Sequence, residues 1–155
     1  MILKKLKYQE YLQKFKDCPT IDFVEVDKDA YRWTHNPVTV DDFLPVSINE
    51  PQRILDKSDL KCMSYGLSMF DTLSNSILKY KTLYDKSRPL QKKQFIEDKG
   101  NFIALIKLGK NDGIADEPNQ SNFGHFTFHE YSNINLQFKV LTLHNIFNED
   151  GAFNI

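Results

Sequence analysis

The densest run of side chains able to handle protons is the hexapeptide His125-Phe126-Thr127-Phe128-His129-Glu130. Its alternation is that of a strand, where successive side chains point to opposite faces. Phe126 and Phe128 then enter a core, while His125, Thr127 and His129 share the other face, read as half-exposed, and can contact a ligand. The two histidines cannot share a metal ion, because i and i+4 on a strand lie ~13 Å apart whereas a Zn–N bond is ~2 Å long. No metal site is expected.

Three further residues fall in an order that bears on function. Arg32 follows Tyr31 on an early strand, Ser68 closes Gly66-Leu67-Ser68 on a middle strand that leads into a helix, and Glu130 lies on a late strand. This order resembles the ADP-ribosyltransferase fold. The resemblance implies that Arg32 binds the phosphates of NAD, Ser68 braces the nicotinamide ribose pocket and Glu130 polarises that ribose. It covers these scattered positions only. The middle strand lacks a Ser-Thr-Ser signature, no Glu-x-Glu or Gln-x-Glu precedes Glu130, and Glu130 points away from His125 and His129. The unit His125-Phe126-Thr127 is similar to one half of the two-histidine phosphoesterase motif, but the second half is missing, since His35 is followed by Asn36-Pro37 and His144 by Asn145-Ile146.

These residues define an enzyme reading: action on a nucleotide-like, phosphate-bearing ligand. Arg32, His125 and Glu130 would be catalytic, and Ser68, Thr127, His129 and His35 would bind the ligand. NAD is the cofactor under that reading alone, and otherwise none is expected. The chain has no phosphate-binding Gly-rich loop with Lys and Ser or Thr, no Gly-x-Gly-x-x-Gly, no Gly-x-Ser-x-Gly and no His-Glu-x-x-His. The absence of a complete catalytic signature favours instead a small cytosolic accessory or binding module of bacterial type. Its partner would be a protein or a small nucleotide-like ligand.

Composition bounds the remaining classes. The 155 residues carry 20 Lys plus Arg against 21 Asp plus Glu, and 41% are hydrophobic. A chain of this length buries roughly 70% of its unfolded surface, enough for one globular domain, here 1–155. No apolar run approaches the ~20 residues of a membrane span, and no leader-like segment follows Met1, so a cytoplasmic protein with no membrane partner is expected. Only three arginines, Arg32, Arg53 and Arg88, stand beside seventeen lysines, which argues against sequence-specific DNA reading because arginine supplies the bidentate forks for guanine and phosphate. Residues 79–99 hold seven bases against three acids. Those lysines read as the solvated side of helices, with non-specific nucleic-acid binding as a third function. Cys18 and Cys62 belong to no Cys-x-x-Cys pair and are read as free thiols.

The elements that must position these groups follow from periodicity. Tyr8, Tyr11, Leu12 and Phe15 have helical spacing, predicting an amphipathic helix over 2–17 that ends before Pro19. Segments 20–26 and 30–34 are rich in β-branched and aromatic residues, and with a turn between them they predict a hairpin. A long loop pinned by Phe43 and Leu44 leads to a short helix from Pro51 to about Lys57. The stretch from Cys62 is open to two readings: one continuous helix, or a strand over 63–69 and then a helix capped by Asp71. Gly66 favours the second, since glycine inside a helix is about 1 kcal/mol worse than alanine. A further short helix follows Pro89. Strands are expected at 102–108, 124–131 and 136–143, the last two as a hairpin, with 109–123 a polar loop. Asp41, Asp42, Asp112, Asp116 and Glu117 read as solvated turns. The sum is an α+β fold, a mostly antiparallel sheet of about six strands with an N-terminal and a central helix packed on it.

Overall fold

The computed structural model describes residues 4–53 and 61–155. The described residues form an α+β structure around one antiparallel sheet of seven strands, one more than the patterning predicts. These are β1 (Val24–Glu25), β2 (Lys28–Thr34), β3 (Leu67–Phe70), β4 (Phe102–Leu108), β5 (Gly113–Ala115), β6 (His125–Glu130) and β7 (Val140–Asn145), in the spatial order β1-β5-β6-β3-β2-β4-β7. The helices are α1 (Gln9–Leu12), α2 (Val46–Asn49), α3 (Leu73–Lys86) and α4 (Lys92–Lys99). No helix among the described residues is long and apolar enough to cross a membrane.

The connections dictate a curled sheet. β1 and β2 are four strand positions apart, about 19 Å in a flat sheet. Yet only Val26 and Asp27 join them, and the three Cα steps from Glu25 to Lys28 span at most about 11 Å. The β4–β5 link, Gly109 to Asp112, crosses the same four positions and is folded into a turn in which the Asp112 amide donates to the Gly109 carbonyl, so it too is shorter than a flat sheet would need. The sheet therefore curls around one face, and the side chains of that inner face from distant strands meet: Ala30, Leu67, Met69, Ala104, Ile106, Leu108, Ala115, Phe126 and Phe128 form a single buried cluster.

The outer face is covered in two separate patches. At one end α3 lays Leu73, Ile77, Tyr80 and Tyr84 over Tyr31, Trp33 and Ile103, joined by Phe95, Phe147 and Phe153. Trp33 Nε1 donates to the Ser76 carbonyl at 3.0 Å and Tyr80 Oη to the Gly100 carbonyl at 2.6 Å, so the half-buried Trp33 and the buried Tyr80 both keep their polar ends paired. At the other end the N-terminal segment packs Leu6 and Leu12 with Tyr131, Tyr65 and Ile114.

Several expectations give way here. The stripe of the N-terminal segment makes only the single turn of α1, because its apolar side chains are satisfied against Tyr65 and Tyr131 rather than along a helix; residue 6 bridges Tyr131, and the Lys7 amide bonds the Glu130 carbonyl. Cys18 and Cys62 are not free thiols but a disulfide, with their Cα atoms 5.8 Å apart, which clips this segment to the chain before β3. β1 and β2 are not a hairpin: β1 pairs with β5, and β2 with β3 and β4. Nor are β6 and β7, since β7 crosses to pair with β4. Residues 51–53 form a 3₁₀ turn, and the rest of the helix expected to Lys57 lies outside the described residues. The strand expected over 63–69 is a 3₁₀ turn at Met63–Tyr65 followed by β3. The helix cap is Thr72, whose hydroxyl accepts from the Asn75 amide, while Asp71 accepts instead from the side chains of Asn75 and Gln120. Half of the 109–123 loop is structured, holding β5 and a 3₁₀ turn at Gln120–Asn122. Asp42 and Asp112 are buried rather than solvated; Asp112 bonds the Gly109 amide and pairs with Lys139 at 2.7 Å.

Candidate functional site

β2 and β3 share a single register pair, Tyr31↔Phe70, and then part. Along this seam lies a cleft of about 530 Å³, lined among others by Arg32, Trp33, His35, Ser68, Lys79, Lys99, His125 and Thr127. Arg32, an inner-face residue, closes the bottom of the gap. Its Nε donates to the Asp42 carbonyl and its Nη1 to the Ser68 carbonyl, both at 2.8 Å. Burial pushes its pKa down to about 10, which still leaves a full cation at neutral pH.

On the outer side, the β3–β6 ladder pairs Ser68 with Thr127 and Phe70 with His125. His125 reaches diagonally across it, its Nε2 2.9 Å from the Ser68 hydroxyl. Phe70 packs against its ring at 75°, and Trp33 stacks on Phe70 at 5.3 Å, so one wall is aromatic. Burial pushes the His125 pKa below the usual value; the charge of Asp116 opposes the shift, and Lys79 and Arg32 reinforce it. The ring is therefore neutral at pH 7. Two glycines make the corner possible. Gly124 adopts φ 68°, a left-handed conformation that turns the chain into β6 against Asp71. At Gly66 a Cβ would sit 2.4 Å from the Thr127 methyl and 3.1 Å from the His129 ring.

His35 is fixed at the seam's end. Its Nδ1 meets Asp42 Oδ1 at 2.6 Å and its Nε2 the Glu97 carbonyl at 2.7 Å. The Glu97 carbonyl and the Asp42 carboxylate raise its pKa, because an imidazolium can donate to both at once. Asp42 also caps the turn at Val40–Phe43 through the Thr39 amide at 2.9 Å. This histidine is a clasp between β2, that turn and the end of α4 rather than a free base.

Burial and the neighbouring Arg53 lower the pKa of Lys99, with Glu50 and Asp98 opposing and Arg32 adding to the crowding. Arg53 pairs with Glu50 at 3.4 Å. Among the described residues, neither Lys79 nor Lys99 enters an ion pair.

The structure thus brings Arg32, His35, Ser68, His125 and Thr127 to one cleft and leaves His129 and Glu130 out of it. His129 does share the outer face of β6 with His125 and Thr127, but that face is not half-exposed. Thr127 and His129 are buried, His129 at 2% exposure with Phe23 edge-on to its ring, and burial pushes its pKa down to about 4. The cover comes from residues a hundred positions away. Glu130 turns to the inner face, pairs with Lys7 at 2.8 Å and lines a second cavity of about 350 Å³ with Tyr8, Phe43 and Gln137. The Arg-Ser-Glu set that the ADP-ribosyltransferase resemblance implies therefore does not share one cleft. Trp33, Lys79, Lys99 and Asp42 are site residues that patterning missed, and Lys79 read as a solvated helix lysine. The meeting of α3 and the end of α4 at the seam marks Lys79 and Lys99, whereas Trp33 comes from β2 and Asp42 from the turn at Val40–Phe43. Among the described residues no three His, Cys, Asp or Glu side chains are grouped to hold a metal ion.

No family model, no curated protein and no solved structure matches this chain.

Proposed function

We propose that the protein is a small binding module whose cleft between β2 and β3 takes a nucleotide-like, phosphate-bearing anion. The observation that carries this reading is the crowding of like charge at one aromatic-walled opening. Arg32, Lys79 and Lys99 converge there with Arg53: Arg53 and Arg32 lower the pKa of Lys99, and Lys79 and Arg32 that of His125, while of the carboxylates in the lining, Asp41, Asp42, Glu50 and Asp98, the last three are engaged by His35, Arg53 and Gln94. An anion relieves that repulsion. The half-buried Trp33, stacked on the buried Phe70 in the cleft wall, suits a planar base or another flat group.

A thermal-shift series with ADP, ATP, NAD and inorganic phosphate tests the proposal. A ligand at 100 times its Kd stabilises the fold by about 2.7 kcal/mol, and raising salt should weaken the response. The double variant Lys79→Gln/Lys99→Gln should lose most of it. No response to any phosphate-bearing ligand, or an equal response in the double variant, would overturn the reading. Engagement of Lys81 by Asp85 and of Lys92 by the Tyr84 carbonyl leaves little reason to favour a continuous polyanion surface over 79–99.

A further inference from the structure

We infer that Ser68 and His125 are a nucleophile and its general base, and that the cleft cleaves an ester of the anion it holds through transient acylation of Ser68. The substrate class rests on the phosphate-bearing ligand proposed above. The pair itself rests on independent geometry.

Ser68 is exposed to the cleft, whereas the His125 ring is half-buried behind it, so the hydroxyl is the group a ligand meets first. The 2.9 Å contact joins side chains on two paired strands, and the ladder Ser68↔Thr127, Phe70↔His125 holds their backbones in register. A site built on strands keeps such a distance better than one built on loops. The ring is held on a second side by Phe70. With the proton on Nδ1, the neutral ring presents an Nε2 lone pair to the Ser68 hydroxyl, which donates to it. Every titratable group acting on this histidine is accounted for: Lys79 and Arg32 disfavour its protonation, and Asp116 favours it but is occupied by the Thr127 amide at 2.8 Å. The same two cations favour negative charge developing beside Ser68, which is what an acyl-transfer transition state builds. Arg32 is already anchored to the Ser68 carbonyl.

The steps balance without a further reactant. Ser68 Oγ attacks the ester carbonyl carbon, and its proton passes to His125 Nε2. The bond from carbon to the alcohol oxygen breaks, and His125 returns the proton to the departing alcohol. Water then attacks the acyl-serine, giving its proton to Nε2. The carbon–Oγ bond breaks, Ser68 recovers the proton and the carboxylic acid leaves.

The full chain is treated with an alkyl fluorophosphonate, which traps an activated serine by forming Oγ–P and expelling fluoride while His125 accepts the serine proton. The expected result is one adduct, mapped to Ser68 by peptide mass, absent from Ser68→Ala and formed about 100-fold more slowly in His125→Gln. The rate should be flat above neutral pH and fall on acidification as His125 protonates. Circular dichroism and melting of both variants separate loss of reactivity from loss of fold. No adduct on the folded wild-type chain, or labelling of Ser68 at the same rate in His125→Gln, would overturn the pair. The nucleotide thermal shift of the untreated wild-type chain is read in parallel. A shift without labelling removes the dyad and leaves the binding reading, whereas His125-dependent labelling without a shift upholds the dyad and removes the phosphate-bearing substrate.

Discussion

The two faces of the curled sheet are closed in different ways. The inner face is filled by alanine, leucine, isoleucine, methionine and two phenylalanines drawn from strands all across the sheet, and Phe126 and Phe128 are almost wholly buried in it. Curling brings these residues together, and only Phe43 and Leu136, from the turns at Val40–Phe43 and Leu136–Lys139, are added to the buried cluster from outside the sheet. The outer face diverges, so it depends on elements laid over it, and two arrive: the aromatic pack under α3 and the N-terminal segment clipped by Cys18–Cys62. Between them the face stays open. Ser68 and His125 are found there, with the buried Thr127 in its wall. A concave face buries its own side chains, and a convex face leaves a site wherever its covers fail to meet.

The largest test of that contrast is Phe128→Ala, which should destabilise the protein by about 3–5 kcal/mol in urea denaturation. His125→Ala should change stability by less than about 1 kcal/mol, since its ring borders the open cleft. Equal losses would mean that the outer gap is as tightly packed as the inner face. Next comes the clip. Cross-linking residues 44 positions apart stabilises by up to about 4 kcal/mol through the unfolded chain, so the double variant Cys18→Ser/Cys62→Ser, or reduction, should lose a large part of that. If the melting temperature does not move, packing alone holds that cover.

Acid should reach the covered part of the outer face first. His129 has a folded pKa of about 4, below the roughly 6.5 of an unfolded histidine. The unfolded chain therefore binds more protons between those values, and stability is lost as pH falls from about 6.5 towards 4, by on the order of 3 kcal/mol from this group. Glu130 works the other way, because burial raises its pKa and its folded form takes up a proton more readily. His129→Leu should flatten the acid limb of a pH–stability curve. An unchanged limb would place the sensitivity elsewhere.

Gly66→Ala is expected to lose about 1–3 kcal/mol, since its Cβ must displace Thr127 or His129. It should also weaken any ligand response by shifting the wall of the cleft. The smallest effect is at the helix start, where Thr72→Ala should lose about 1 kcal/mol by removing the cap on α3, read from the urea midpoint. A silent variant there would mean that Asp71, through Asn75 and Gln120, carries the start of the helix alone.

Local chemistry was legible wherever a period was long enough. The strand at 102–108, the alternation that buries Phe126 and Phe128 and a helix following residue 71 all stand where the pattern puts them. At the start of α3, two adjacent residues can each accept at a helix terminus, and the pattern named Asp71 where the backbone uses Thr72. Within the site, Arg32, Ser68 and His125 could be singled out by type, but type could not show that the first two meet at a seam while Glu130 turns inward to Lys7.

The amino-acid sequence by itself determined the class of fold and much of its strand and helix content, because side-chain period is a property of a dozen consecutive residues. The tertiary structure decided the rest. It set which strand each short segment joins, that Cys18 and Cys62 meet, that His129 lies under the N-terminal segment, and that Lys79 and Lys99 face the same cleft as Arg32. Those relations join residues tens of positions apart. They follow from how the curled sheet is covered, a property of the whole packed chain that no local stretch of it encodes.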